Sequence, residues 1–272
     1  MSRYSPMTTE EIREKLRGIR CFVLDMDGTI YLENDIFPFT LDFLRKVRET
    51  GRDYCFFTNN SSANHGDYVK KLSRMGIDVS PEMIFISTHV IIRHIKENHP
   101  GMTCYVVGTP NLEKAFDDAG IPRDDKNPDA VILGFDKTLT YEKMAKACHF
   151  VRHGAVYYGV NPDWNCPMSG GEYIPDCGSM AKMVEASTGR WPEFFGKPTR
   201  HAFDYVMDQT RCREEELCFV GDRIYTDIAI ANGTKALSVM VLTGETKMED
   251  LEKYDYCPDI ILPSLASVTE LI

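Results

Sequence analysis

The run Cys21-Phe22-Val23-Leu24-Asp25-Met26-Asp27-Gly28-Thr29 carries two carboxylates, one residue apart, at the end of an apolar strand and ahead of a glycine turn. Alternate side chains of a strand share a face, so Asp25 and Asp27 are expected on one side. Two such charges ~4 Å apart at an effective dielectric of about 20 repel by roughly 4 kcal/mol. A divalent cation or a proton relieves that repulsion. A calcium loop of the EF-hand type also begins D-x-D, but it needs glycine at its sixth place and glutamate at its twelfth. Counted from Asp25, Gly28 comes two places early and the twelfth residue is Ile36, so calcium is disfavoured. A solvated turn or a plain strand end accounts equally for this segment taken alone.

Three later segments also set polar groups just past an apolar strand, and the carboxyl ends of parallel strands are where such sheets bind ligands. Phe56-Phe57-Thr58-Asn59-Asn60-Ser61 brings a hydroxyl and amides to the start of a helix, whose free N–H groups favour an anion. The same residue types are ordinary N-caps. Gly196-Lys197-Pro198-Thr199 supplies a cation but is not a Walker loop, because the upstream glycine position holds Trp191 and Pro198 follows the lysine. Val220-Gly221-Asp222-Arg223-Ile224-Tyr225-Thr226-Asp227 sets two aspartates around the start of a helix, and capping explains one of them at most.

Positioning these segments requires alternating strands and helices. Thr8-x-x-Glu11 opens a short helix that Gly18 can close. A first βα rhythm follows: strands at 19–25 and 53–57, helices near 39–49 and 64–75. A second begins after Pro81, with helices around 90–97, after Pro110 and at 141–153, and strands at 104–107, 130–133 and 155–159. A long loop from Asn161 to Cys177, rich in Gly and Pro, precedes a helix near 179–187. The first rhythm resumes near Glu193, with a helix after Pro198, strands at 217–220, 236–242 and 260–262, a helix at 224–231 and a short last helix. This predicts an α/β fold: a parallel-sheet core of residues 1–82 plus 191–272, with 83–190 as an inserted α/β domain.

The 272 residues suffice for two moderate domains, and 43% hydrophobic with 26% charged residues is ordinary for a globular chain. A net charge of -10 argues against nucleic acid as the main partner. No apolar stretch reaches the ~20 residues of a membrane span, and the polar start lacks a signal-peptide apolar core. The nine cysteines contain no C-x-x-C pair, which argues against zinc and a disulfide framework and suits a reducing, cytoplasmic setting.

In their order along the chain, Asp25-Met26-Asp27-Gly28-Thr29, Thr58-Asn59-Asn60-Ser61, Gly196-Lys197-Pro198 and Gly221-Asp222 with Asp227 resemble the haloacid dehalogenase-like superfamily, and within it the NagD-like or p-nitrophenylphosphatase-like branch. The resemblance covers nearly the whole chain, since Asn161-Pro162-Asp163, Pro167 and the Gly-rich stretch up to Ser179 are similar to that branch's cap domain. Arg223 and Asn232 depart from it, standing where relatives often carry asparagine and glycine. The resemblance implies a Rossmann-like core with helices on both faces and an inserted cap. It also implies a Mg2+-dependent phosphatase acting on small phosphorylated metabolites, such as sugar phosphates or nucleoside monophosphates, with p-nitrophenyl phosphate as surrogate.

Carried over by position, Asp25 is the nucleophile and Asp27 the general acid and base. Thr58 and the Asn59 backbone amide orient the phosphate, with Gly28 and Asn60 beside it, and Lys197 stabilises its charge. Mg2+ is held by the Asp25 carboxylate, the Asp27 main-chain carbonyl and the Asp222 carboxylate, with Asp227 supporting these ligands. The four aspartates and Lys197 leave three net negative charges, which Mg2+ and one proton on Asp27 cancel before a phosphate dianion enters. Asn161, Asp163 and Trp164 are candidates for reading the leaving group, the alternative being a loop packed on its own Trp and Pro. His65 reads as a surface or capping residue.

Dehalogenases of this superfamily lack the second aspartate. Phosphomutases resemble relatives whose cap precedes the second motif, whereas Thr29 to Asp53 has room for little beyond one helix. The remaining alternative is a phosphometabolite sensor that binds without hydrolysis, for which a nucleophile beside an acid has no use. The expected partner is a small phosphorylated metabolite, with neither nucleic acid nor membrane, and a homodimer is left open.

Overall fold

The computed structural model describes residues 4–168 and 172–272. Ser169, Gly170 and Gly171 of the Gly-rich stretch lie outside the described residues. In chain order the elements are α1 (Thr9–Arg17), β1 (Cys21–Leu24), β2 (Tyr31–Leu32), β3 (Asp35–Ile36), α2 (Thr40–Glu49), β4 (Asp53–Thr58), α3 (His65–Arg74), β5 (Ile84–Ile86), α4 (Ser87–Asn98), β6 (Cys104–Val107), α5 (Pro110–Asp118), β7 (Ala130–Leu133), α6 (Tyr141–Arg152), β8 (Val156–Gly159), β9 (Asn165–Pro167), β10 (Tyr173–Pro175), α7 (Cys177–Thr188), β11 (Glu193–Phe194), α8 (Arg200–Thr210), β12 (Leu217–Gly221), β13 (Leu237–Val241), β14 (Ile260–Leu262) and α9 (Leu265–Thr269).

The chain divides into two compact units. The first comprises residues 1–58, 69–85 and 202–272. Its six-stranded sheet has the order β14-β13-β12-β1-β4-β5. β1 pairs in parallel with β12 in the register Leu24↔Val220 and with β4 in the register Leu24↔Phe56. Every residue of β1, β12 and β13 is buried, as expected where both faces of a parallel sheet are covered. Phe22 meets Phe43 of α2 edge-on at 5.7 Å, and Phe219 lies 5.7 Å from Phe203 of α8. Val23 and Phe219 are register partners and share a face, so Phe22 points to the opposite one and the two helices cover opposite sides.

The second unit comprises residues 59–68 and 86–201. It has its own parallel sheet, β11-β8-β7-β6. Below it, α6 and α7 bury Met144, Phe150, Met180 and Val184 in one cluster. Residues 191–201 were expected in the catalytic core, but β11 pairs with β8, and 59–68 is tied inward as well: Phe135 N–H donates to Ser61 Oγ at 3.0 Å and Asn111 Nδ2 to Asp67 Oδ2 at 3.0 Å. Both segments therefore group with the middle of the chain.

Further differences have local causes. The strands β2, β3, β5, β9 and β10 are two or three residues long, too short for a periodic signal, and β9 and β10 form an antiparallel hairpin inside the expected long loop. Residues 224–231, expected as a helix, form a π-helical turn over Ile224–Ile228 and a 3₁₀ turn over Ala229–Ala231. Ile228 N–H donates to Arg223 O at 3.3 Å, alongside Asp227 N–H to the same oxygen at 2.9 Å. Such widened turns are frequent at functional sites. Among the described residues, no helix is long and apolar enough to cross a membrane.

Phe22 is fully buried in the strand that carries the first aspartate. Phe22→Ala is expected to lower the stability of the fold by about 3–5 kcal/mol, measured by denaturant unfolding.

Candidate active site

From β1 the chain runs outward through β4 and β5, and it returns on the other side through β12, β13 and β14. The strand order thus reverses between β1 and β12, where open parallel sheets hold ligands at their carboxyl ends. Asp25 is the first residue past β1, and its N–H still donates to Val220 O at 2.9 Å. Asp222 is the first residue past β12. Neighbouring strands therefore deliver one carboxylate each to the same level.

The π-helical turn supplies a third. Carboxylate oxygens of Asp25, Asp222 and Asp227 all lie within 4.8 Å of one another. Asp227 also accepts from Arg223 N–H at 3.1 Å, which fixes its side chain across the mouth of the turn. It thus lies beside the carboxylates it is expected to support.

Asp222 is held by two donors. Glu245 N–H donates to its Oδ2 at 2.7 Å and Thr29 Oγ1 to its Oδ1 at 3.4 Å. Gly28 has φ 86°, and a Cβ there would stand 2.6 Å from the Asp222 carboxyl; a Cβ on Gly244 would stand 2.0 Å from Oδ2. Both approaches require glycine. Burial pushes the Asp222 carboxyl above its ordinary proton affinity, Asp227 reinforces the shift and the Arg223 guanidinium opposes it. Arg223 in turn pairs with Glu245, Nε to Oε2 at 3.1 Å.

The donor set of three crowded carboxylates, two of them buried, fits a hard divalent cation. Such an ion takes oxygen ligands at ~2.1–2.6 Å, so its ligands stand about 3–5 Å apart. Its charge would offset both the mutual repulsion and the desolvation of Asp222.

The Asp27 carboxylate does not join this group. β1 ends at Leu24, and the Met26 carbonyl accepts from Thr29 N–H and Ile30 N–H at 3.2 and 2.9 Å, so the strand alternation that would set Asp27 beside Asp25 gives way to a turn. Burial raises the affinity of Asp27 for a proton, with the Lys71 ammonium as the largest opposing influence. Lys71 lies 3.8 Å over the Tyr31 ring, and burial lowers its own pKa against the pull of Asp27 and Glu33. The motif reading missed Lys71, which sits mid-helix with no distinctive neighbours. It also missed the Thr243-Gly244-Glu245 segment. That one had a signal, since it is a polar, glycine-containing stretch just past an apolar strand. There Thr243 Oγ1 donates to Gly28 O at 2.6 Å.

Thr58, buried, closes β4 beside β1. The other candidates belong to the second unit. Asn60 serves a local turn, its Oδ1 accepting from Ser62 N–H at 2.9 Å and Ser62 Oγ at 2.7 Å. Lys197 is buried, and the Asn59 side chain brackets its main chain: Lys197 N–H donates to Asn59 Oδ1 at 2.8 Å, and Asn59 Nδ2 to Lys197 O at 2.9 Å. Asn161 and Asp163 are buried together, whereas Trp164 is 48% exposed with its ring 6.0 Å from that of Trp191. His65 opens α3, its ring tilted against that of His89 with centroids 4.0 Å apart.

Comparison with known proteins follows the same outline. A haloacid dehalogenase-like hydrolase family model matches residues 22–122, and a HAD-hydrolase-like model matches 194–268. An acid sugar phosphatase of Staphylococcus haemolyticus is 31% identical over 258 residues, covering 94% of this chain and 98% of that protein. Among solved structures, a 4-nitrophenylphosphatase from Thermotoga maritima superposes with a TM-score of 0.90 at 41% identity, covering 94% of this chain and 98% of that one. NagD from E. coli K-12 superposes with a TM-score of 0.84 at 28% identity, covering 93% and 99%. The chain belongs to the haloacid dehalogenase-like hydrolases, in the phosphatase branch typified by NagD and the p-nitrophenylphosphatases.

Proposed function

We propose that the chain is a Mg2+-dependent phosphatase that hydrolyses small phosphorylated metabolites, sugar phosphates foremost, through an aspartyl-phosphate on Asp25. The observation that carries this reading is the convergence of Asp25, Asp222 and Asp227 within 4.8 Å at a strand-order reversal. The acid sugar phosphatase and 4-nitrophenylphosphatase relatives support the substrate class. In this reading 83–190 forms the cap, while 59–68 and 191–201, although they group with it in the fold, carry motifs of the catalytic core, and the enzyme works in the cytoplasm.

Asp25, Asp222 and the Asp27 main-chain carbonyl hold the ion, with Asp227 beside them. When bound, Mg2+ neutralises charge on the phosphoryl oxygens. Asp25 Oδ attacks phosphorus as the bond to the ester oxygen breaks, and Asp27 gives its proton to that leaving oxygen. Burial favours the protonated Asp27 this step needs. Asp27 then takes a proton from the water that attacks phosphorus, which frees phosphate and restores the Asp25 carboxylate. Thr58 and the Asn59 main-chain N–H orient the phosphoryl oxygens, and the Lys197 ammonium stabilises their charge.

The purified chain with Mg2+ is expected to release phosphate from p-nitrophenyl phosphate and from sugar phosphates, and Asp25→Asn to reduce kcat at least about 10³-fold with the fold intact by circular dichroism. Appreciable turnover by Asp25→Asn would refute the nucleophile. Chelation by EDTA is expected to abolish turnover and Mg2+ to restore it; hydrolysis that persists without divalent ions would undo the ligand scheme.

A further inference from the structure

Lys197 is held by its main chain, and what holds it is held in turn. A primary amide can be turned either way round, and only its surroundings decide which end is oxygen. The Asn59 amide brackets both the N–H and the C=O of Lys197, which is productive in one orientation only. A carboxylate can accept but not donate. Asp163 Oδ2, 2.7 Å from Asn59 Nδ2, therefore reinforces the orientation the bracket needs, with the nitrogen toward itself and the oxygen toward Lys197 N–H.

Asp163 is fixed from behind. Asn161 Nδ2 donates to the same Asp163 oxygen at 2.8 Å and to Asp176 Oδ1 at 3.1 Å. Asp176 caps α7 through Cys177 N–H at 2.5 Å. Asn161 commits its amide hydrogens to these two acids although its own Oδ1 meets no partner among the described residues. Gly196 lets the bracket close, since a Cβ there would stand 2.6 Å from Asn59 Oδ1. Asn161 and Asp163 are 0% and 2% exposed, which suits a support better than a surface that reads a leaving group.

We propose that Asp163, backed by Asn161 and Asp176, is a positioning residue that sets the register of Lys197 by fixing the orientation of the Asn59 amide. The proposal rests on the phosphatase reading, in which Lys197 stabilises the transferring phosphoryl group. Asparagine at 163 could donate as well as accept, so Asp163→Asn weakens the hold on the Asn59 amide while keeping size and shape. A loss that acts on the phosphoryl group is the same whatever the leaving group, whereas a residue that reads the leaving group penalises substrates unequally.

The test is steady-state hydrolysis of p-nitrophenyl phosphate and of a sugar phosphate by the unmodified chain, Asp163→Asn, Lys197→Ala and the double variant, with Mg2+ saturating. Asp163→Asn is expected to lower kcat/KM about 10- to 100-fold, by the same factor on both esters, since a misplaced group costs rate in this range. In the Lys197→Ala background the further loss is expected to fall below about twofold, because the group being positioned is gone. A loss that differs between the esters, or one that multiplies in full on Lys197→Ala, would overturn the positioning role. Should Asp163→Asn not fold, Asn59→Ser breaks the bracket directly, and the same two comparisons decide. An unmodified chain that hydrolyses neither ester defeats the phosphatase reading and the positioning role with it; an active chain that fails either comparison defeats the positioning role alone.

Discussion

Like charges crowded at low solvent exposure are the constraint around which the first unit is organised. Asp25, Asp222 and Asp227 come within 4.8 Å, and Asp222 is buried. Nothing in the hydrophobic core requires this, and left uncompensated it opposes folding. Part of the compensation is protein: the Glu245 amide and the Thr29 hydroxyl donate to Asp222, and Arg223 moderates the field. Three carboxylates this close also suit a divalent cation. The two glycines that leave no room beside Asp222, Gly28 and Gly244, follow from the same crowding.

The parallel sheet is what makes that crowding reproducible. β1 and β12 are register partners, so the residues that follow them arrive at one level, and buried side chains on both faces prevent slippage. A regular helix after Asp222 would carry Asp227 elsewhere. The π-helical turn, with Arg223 N–H bonded to Asp227, keeps its carboxylate at the strand ends.

Much of this was legible in the sequence because it is local. The apolar runs before Asp25 and Asp222 mark buried strands, and Thr8-x-x-Glu11 forms the capping box it spells, with Glu11 N–H on Thr8 Oγ1 and Thr8 N–H on Glu11 Oε2. What escaped is long-range or short. β5 is three residues long, and β11 joins the second sheet through a pairing that no local pattern announces. Lys71 reaches the Asp27 neighbourhood through helix placement, and Asp176 meets Asn161 from fifteen positions away in the sequence. Asn161 and Asp163 stood out as polar residues in a loop, but only the fold reveals that they face each other and Asn59.

The central claim is that the Asp25 and Asp222 carboxylates share one divalent ion, with Asp227 beside it. Crystals grown with Mn2+ in place of Mg2+ and read by anomalous scattering test it most directly. One strong peak in contact with the Asp25 and Asp222 carboxylates, lost in Asp222→Asn, is the predicted result. A peak bound elsewhere, or none at saturating Mn2+ with the three side chains still clustered, would contradict it.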